Sequence, residues 1–62
     1  MTLYVPLPGL FRFERILNTN ESLKGCLKQV EGSISRWNIS EDINMEELKN
    51  ILVENKLNYT LK

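Results

Sequence analysis

The sequence predicts an α+β domain with an N-terminal β-hairpin, two amphipathic helices and a short C-terminal strand, in the order β-β-α-α-β. Three patterns predict it. Apolar residues alternate with their neighbours near the start, at Leu3, Val5 and Leu7, and again near the end, at Leu57, Tyr59 and Leu61. Between them, Leu23, Cys26, Leu27, Val30, Ile34 and Trp37 recur at offsets 0, 3, 4, 7, 11 and 14. That spacing is one continuous helical stripe.

Thr2 to Leu7 reads as the first strand, and Leu7-Pro8-Gly9-Leu10 puts proline and glycine at the two central positions of a type II turn. Phe11, Phe13, Arg15 and Leu17 then alternate with Arg12, Glu14 and Ile16 to complete the hairpin. Pro6 confines the first strand to a sheet edge. The same residues also admit a helix from Pro8 to Leu17 with Leu10, Phe13, Ile16 and Leu17 inward. Glu14 falls inside that apolar arc, and the hairpin is preferred. Asn18-Thr19-Asn20 breaks the chain and supplies an N-cap for a helix from Glu21 to Trp37. A loop runs from Asn38 to Ile43. Asn44, with Glu47 three residues on, opens a second helix as a capping box. Its inward face is Met45, Leu48, Ile51 and Leu52, and it ends near Asn55. The helices cover one face of a small antiparallel sheet. Residues 1–62 make one domain, with no repeat, linker or low-complexity run.

Composition removes most catalytic chemistry from consideration. A chain of 62 residues buries only about 60% of the surface its unfolded form exposes. Its 42% hydrophobic and 26% charged content is that of a globular protein. There is no histidine, and Cys26 is the one cysteine. Ser-His-Asp and Cys-His nucleophiles, Cys/His zinc cages and an intrachain disulfide are thereby excluded. Neither an enzyme nor a bound cofactor or metal is expected. Glu41-Asp42 and Glu46-Glu47 lie at a loop and a helix start, where the helix dipole favours negative charge. Asp42-x-Asn44-x-Glu46 begins like a calcium loop, but Glu47 stands in the glycine position and Val53 in that of the bidentate glutamate. Gly9, Gly25 and Gly32 are too far apart for a phosphate loop. Cys26, on the apolar stripe, reads as a small buried hydrophobe.

Eight basic and eight acidic side chains cancel. The first 36 residues carry Arg12, Arg15, Lys24, Lys28 and Arg36 against Glu14, Glu21 and Glu31, a net of +2. The remainder carries Lys49, Lys56 and Lys62 against Glu41, Asp42, Glu46, Glu47 and Glu54, a net of −2. A dipolar molecule suits a protein partner of mixed polarity better than a polyanion. The apolar start has no basic n-region and two prolines interrupt it, so it reads neither as a signal peptide nor as a membrane span. The Asn-x-Ser/Thr triplets at Asn20, Asn38 and Asn58 therefore read as caps and turns. With a solitary thiol, a cytoplasmic address and no membrane contact are expected. Alanine is absent while asparagine, isoleucine and lysine are plentiful, which indicates an A/T-rich gene and fits a phage, plasmid or low-GC bacterium.

Eight residues stand out as candidates for a protein-binding surface. Gly25 and Gly32, seven apart and flanked by Gln29 and Arg36, would give the first helix a smooth outward strip where another chain approaches closely. Tyr4 and Phe11, with Arg12 and Arg15, have the aromatic and arginine character of interface anchors. Trp37 either joins them or closes the core. The function expected is that of a small non-enzymatic regulator that occupies a surface on a larger protein, as an inhibitor or modulator of a host enzyme or complex. Homodimerisation would also stabilise so limited a core.

Ile34-Ser35-Arg36-Trp37 is similar to the end of the recognition helix in the Cro/repressor class of helix-turn-helix proteins. That resemblance spans about fifteen residues and implies a compact DNA-binding regulator in which Arg36 reaches phosphate or base edges. Leu23 and Leu27 would then match the apolar positions of the preceding helix, with Ser33 and Ser35 near the groove. The chain departs from the pattern at Lys24, where a small residue is usual, at Lys28 in place of the turn glycine, and at Gln29 in place of an apolar residue. Given the neutral net charge, DNA binding is the second reading.

Overall fold

Strand pairing organises most of this chain. A computed structural model describes residues 1–62. In chain order it contains β1 (Thr2–Tyr4), α1 (Gly9–Thr19), α2 (Glu21–Lys24), β2 (Leu27–Gln29), β3 (Arg36–Ile39), α3 (Met45–Glu54) and β4 (Thr60–Leu61). The four strands form one antiparallel sheet in the spatial order β2-β3-β1-β4. Two strand–helix–strand units are interleaved, the split βαβ arrangement. The α+β class, the first and last strands and the C-terminal helix are as the sequence predicts. The two middle elements are not.

Residues 10–17 are helical rather than the second arm of a hairpin. Pro8 is the N-cap residue, at φ −86° and ψ −4°, so the chain is already turning as it leaves proline. A helix buries Leu10, Phe13 and Leu17 together, three large side chains on one face. A strand would have set Leu10 against Phe13 and Leu17. Glu14 settles half-buried on the flank of that face and does not prevent it. Nor is β1 an edge strand, since β3 and β4 pair with its two sides. Pro6 lies past the last ladder residue, and the Val5 N–H still donates to Ser35 O at 2.9 Å.

The helix expected from Glu21 to Trp37 is one turn of helix followed by a hairpin. Asn20 caps that turn by accepting from Leu23 N at 3.4 Å. The chain then extends through β2, reverses at Gly32 (φ +81°) and returns as β3. Glycine reaches this left-handed backbone without the steric cost a Cβ imposes. The physical reason is the demand of β1. Leu3 and Val5 are wholly buried, and a buried strand needs backbone partners on both sides. Only β3 supplies the second. In strand register, Leu27 pairs with Ile39 and Leu3 with Trp37, which delivers Leu27 and Trp37 to the core by a period of two and leaves Ile34 of the expected stripe 62% exposed.

This overturns the helix-turn-helix resemblance. Ile34 and Ser35 are bends leading into β3, and Arg36 and Trp37 are strand residues, so no recognition helix exists. It also overturns the smooth glycine strip. Gly25 follows the single turn of α2 at φ −65°, and Gly32 sits at a hairpin reversal.

The start of α3 is as predicted, with Asn44 Oδ1 accepting from Glu47 N at 3.1 Å. The Glu47 carboxylate instead accepts from Asn20 Nδ2 at 3.5 Å, linking the α1–α2 junction to α3. At its other end, Lys56 N donates to Val53 O and Leu57 N to Leu52 O, with Lys56 at φ +54°. Those two bonds and the buried Leu57–Leu52 pair make a Schellman motif. α1 and α3 lie on one side of the sheet, and every fully buried residue is apolar.

Candidate functional site

The period of two in the strands sorts side chains into a covered and an open face. Leu3, Leu27, Trp37, Ile39 and Leu61 point toward the helices and are buried or half-buried. Thr2, Tyr4, Lys28, Arg36, Asn38, Thr60 and Lys62 alternate with them and point the other way. No helix covers that side. Three of its seven residues are cations and none is a carboxylate. At its centre, on the two inner strands, Tyr4 stands directly opposite Arg36, and the Arg36 guanidinium carbon lies 5.3 Å from the Tyr4 ring centroid. That separation is cation–π contact. Thr2, Tyr4, Arg36, Thr60 and Lys62 line a shallow depression of about 310 Å³.

A second face belongs to α1. Phe11, Arg15 and Asn18 follow one another at helical spacing on the side away from the core and are exposed, and Leu7, in the turn that precedes the helix, is exposed as well. Phe11 is 64% and Leu7 58% exposed, in contrast to wholly buried Phe13. Arg12 turns aside toward α3, where its Nη1 donates to Asn55 O at 2.8 Å. It therefore ties two helices together, while Arg15 carries no such bond.

The eight candidate residues thus fall in four places. Tyr4 and Arg36 share the open sheet face. Phe11, Arg12 and Arg15 share α1. Gly25 and Gly32 are separate backbone features of the α2–β2–β3 stretch. Trp37 is 4% exposed and closes the core, so its side chain offers no contact to a partner. Lys28, Asn38, Thr60, Lys62 and Thr2 were missed. Their signal is strand alternation, which is masked at Lys28 and Asn38 because the apolar stripe puts the one in a helix and the other in a loop.

Charge separates more sharply in space than along the chain. Asn44, Glu46, Glu47, Asn50, Ile51 and Glu54 line a shallow depression on α3, on the helical side of the sheet. Glu46 and Glu47 occupy the first turn of α3, where they complement the helix dipole. Cys26 is half-buried and its thiol is free. No group of three or more His, Cys, Asp or Glu side chains gathers to hold a metal, and no helix is long and apolar enough to cross a membrane.

No protein-family model, curated protein or solved structure matches the chain. The functional reading therefore rests on these two surfaces.

Proposed function

We propose that this protein is a non-catalytic regulator that acts by docking the outward face of α1 against a larger protein. The observation that carries the reading is Phe11, a large aromatic left 64% exposed one helical turn from an uncommitted Arg15. Phenylalanine and arginine are enriched at protein interfaces, where an aromatic in a pocket and an arginine at its edge supply much of the binding energy. The complementary surface is an apolar groove with an acidic rim: Leu7 and Phe11 fill the groove and Arg15 meets the carboxylates. Occupying such a groove is how a small domain without a nucleophile modulates a larger enzyme or complex. An inhibitor encoded by a phage or other mobile element fits both this economy and the A/T-rich coding bias, and a cytoplasmic setting fits the free thiol.

The test compares three tagged forms in extracts of the source cells: wild type, Phe11→Ser with Arg15→Glu, and Lys28→Gln with Lys62→Gln. Wild type and the sheet-face variant should each recover the same protein in stoichiometric amount, and the α1 variant should not. Equal recovery by all three would remove α1 from the interface. Sedimentation of the purified protein decides whether the surface that α1 meets belongs to a second copy.

A further inference from the structure

The open sheet face is chemically unlike the α1 face and asks for a different ligand. Lys28, Arg36 and Lys62 supply three positive charges, with Thr2, Asn38 and Thr60 between them and no Asp or Glu side chain on the same side of the strands. Lysine is depleted from the cores of protein interfaces, and the aliphatic residues in alternation with this face, Val30 and Ile34, lie beyond the ends of β2 and β3 at the hairpin reversal. What the face offers is a cationic field, hydroxyl and amide groups, and one cation–π pair, Tyr4 and Arg36, at its middle. Phosphates answer the first, sugar and base edges the second, and a base plane the third. A tyrosine ring and a guanidinium plane both stack on bases, and stacking tolerates any base because each has a π-face.

We propose that this face binds single-stranded nucleic acid, with a base against Tyr4 and Arg36 and phosphates along Lys28 and Lys62. A duplex hides its base planes, and this sheet presents no helix or β-ribbon to enter a groove. The surface suits a run of about two or three nucleotides. Overall neutrality does not oppose this, because the Asp and Glu side chains lie on other elements. The proposal is independent of the α1 interface: different residues carry it, on the other side of the sheet.

Fluorescence anisotropy with labelled dT12 and rU12 oligonucleotides tests it, with a hairpin duplex and polyglutamate as competitors. Two neutralised phosphates give a log–log salt slope of about −1.4, so the association constant should fall about sevenfold between 50 and 200 mM salt. Lys28→Gln should flatten the slope by about 0.7. Tyr4→Thr, which keeps a strand-forming residue, should weaken binding about tenfold or more while the slope stays unchanged. The ratio of dT12 to rU12 affinity shows whether DNA or RNA is the preferred form. Three results would each overturn the proposal: no binding at 50 mM salt by a folded protein, displacement by the duplex as effective as by the single strand with Tyr4→Thr neutral, or displacement by polyglutamate at equal charge concentration. The last would assign the face to an acidic protein. Because the α1 variants are not used, failure here leaves the regulator reading intact.

Discussion

Phe13 of α1 meets Trp37 of β3 edge-on, with ring centroids 5.0 Å apart and planes at 75°. This is the preferred geometry for an aromatic pair, the positive edge of one ring toward the negative face of the other. The contact joins α1 to the strand that completes the pairing of β1. Both rings are buried, and the bulkiest part of the core depends on both elements being what they are.

Phe13→Ala should therefore cost about 3–5 kcal/mol, which rivals the whole stability of a domain this small. The variant should be largely unfolded by circular dichroism at 25 °C. Phe13→Leu, which retains most of the volume, should stay folded with a lower urea midpoint. A folded, cooperative Phe13→Ala protein would show that the pair is peripheral to the core.

Gly25 and Gly32 should respond to alanine with opposite signs. Gly25 has φ −65°, and a Cβ there meets nothing nearer than Glu21 O at 3.4 Å. Gly25→Ala should stabilise by about 0.5 kcal/mol through the unfolded chain. A Cβ on Gly32 has open space but sits at φ +81°, so Gly32→Ala should destabilise by about 1 kcal/mol on backbone grounds. Thermal denaturation of the two variants side by side checks the sign.

Lys56→Gly should raise stability by about 0.5–1 kcal/mol. Lys56 holds the left-handed position of the Schellman motif at φ +54°, where glycine carries no Cβ penalty. The expected gain in Tm is about 2–8 °C for a domain of this size.

Asn44→Ala should lose about 1 kcal/mol, because Glu47 N forfeits its side-chain acceptor. Asn44→Asp should be near neutral or slightly stabilising, since aspartate caps equally well and its charge suits the helix N-terminus. Urea titrations that rank alanine with aspartate would contradict the cap.

Arg12 and Arg15 should part company. Arg12→Ala removes the bond to Asn55 O and should cost about 0.5–1 kcal/mol, near the low end for a solvent-exposed hydrogen bond. Arg15→Glu should leave the thermal transition within about 0.5 kcal/mol of wild type. A charge reversal at both positions would confound binding with stability, so Arg15 is the residue to change when partner binding is measured.

How much of this was legible in the sequence depends on the range over which each signal acts. The caps at Asn20 and Asn44, the α3 helix with Leu48 and Leu52 inward, and the alternating first and last strands are local, set by side chains within a few residues of one another. The alternation of Thr2 with Leu3 and of Thr60 with Leu61 already assigned part of the open face. The stretch from Leu23 to Trp37 was undetermined locally. Leu27 and Trp37 fit an apolar stripe at 3.6 residues per turn, and they fit strand register equally well.

Composition and local pattern alone determined that the chain is a mixed α+β domain, that it lacks histidine, and that its charges balance. Tertiary structure decided the rest. The backbone of β1 needs a second partner, which places residues 36–39, expected as a helix end and the start of a loop, in the sheet, and the apolar arc of α1 closes over Trp37. The same pairing placed Tyr4 opposite Arg36 and set Lys28 and Lys62 on their side of the sheet. That juxtaposition depends on register between segments more than thirty residues apart, and no local preference encodes it.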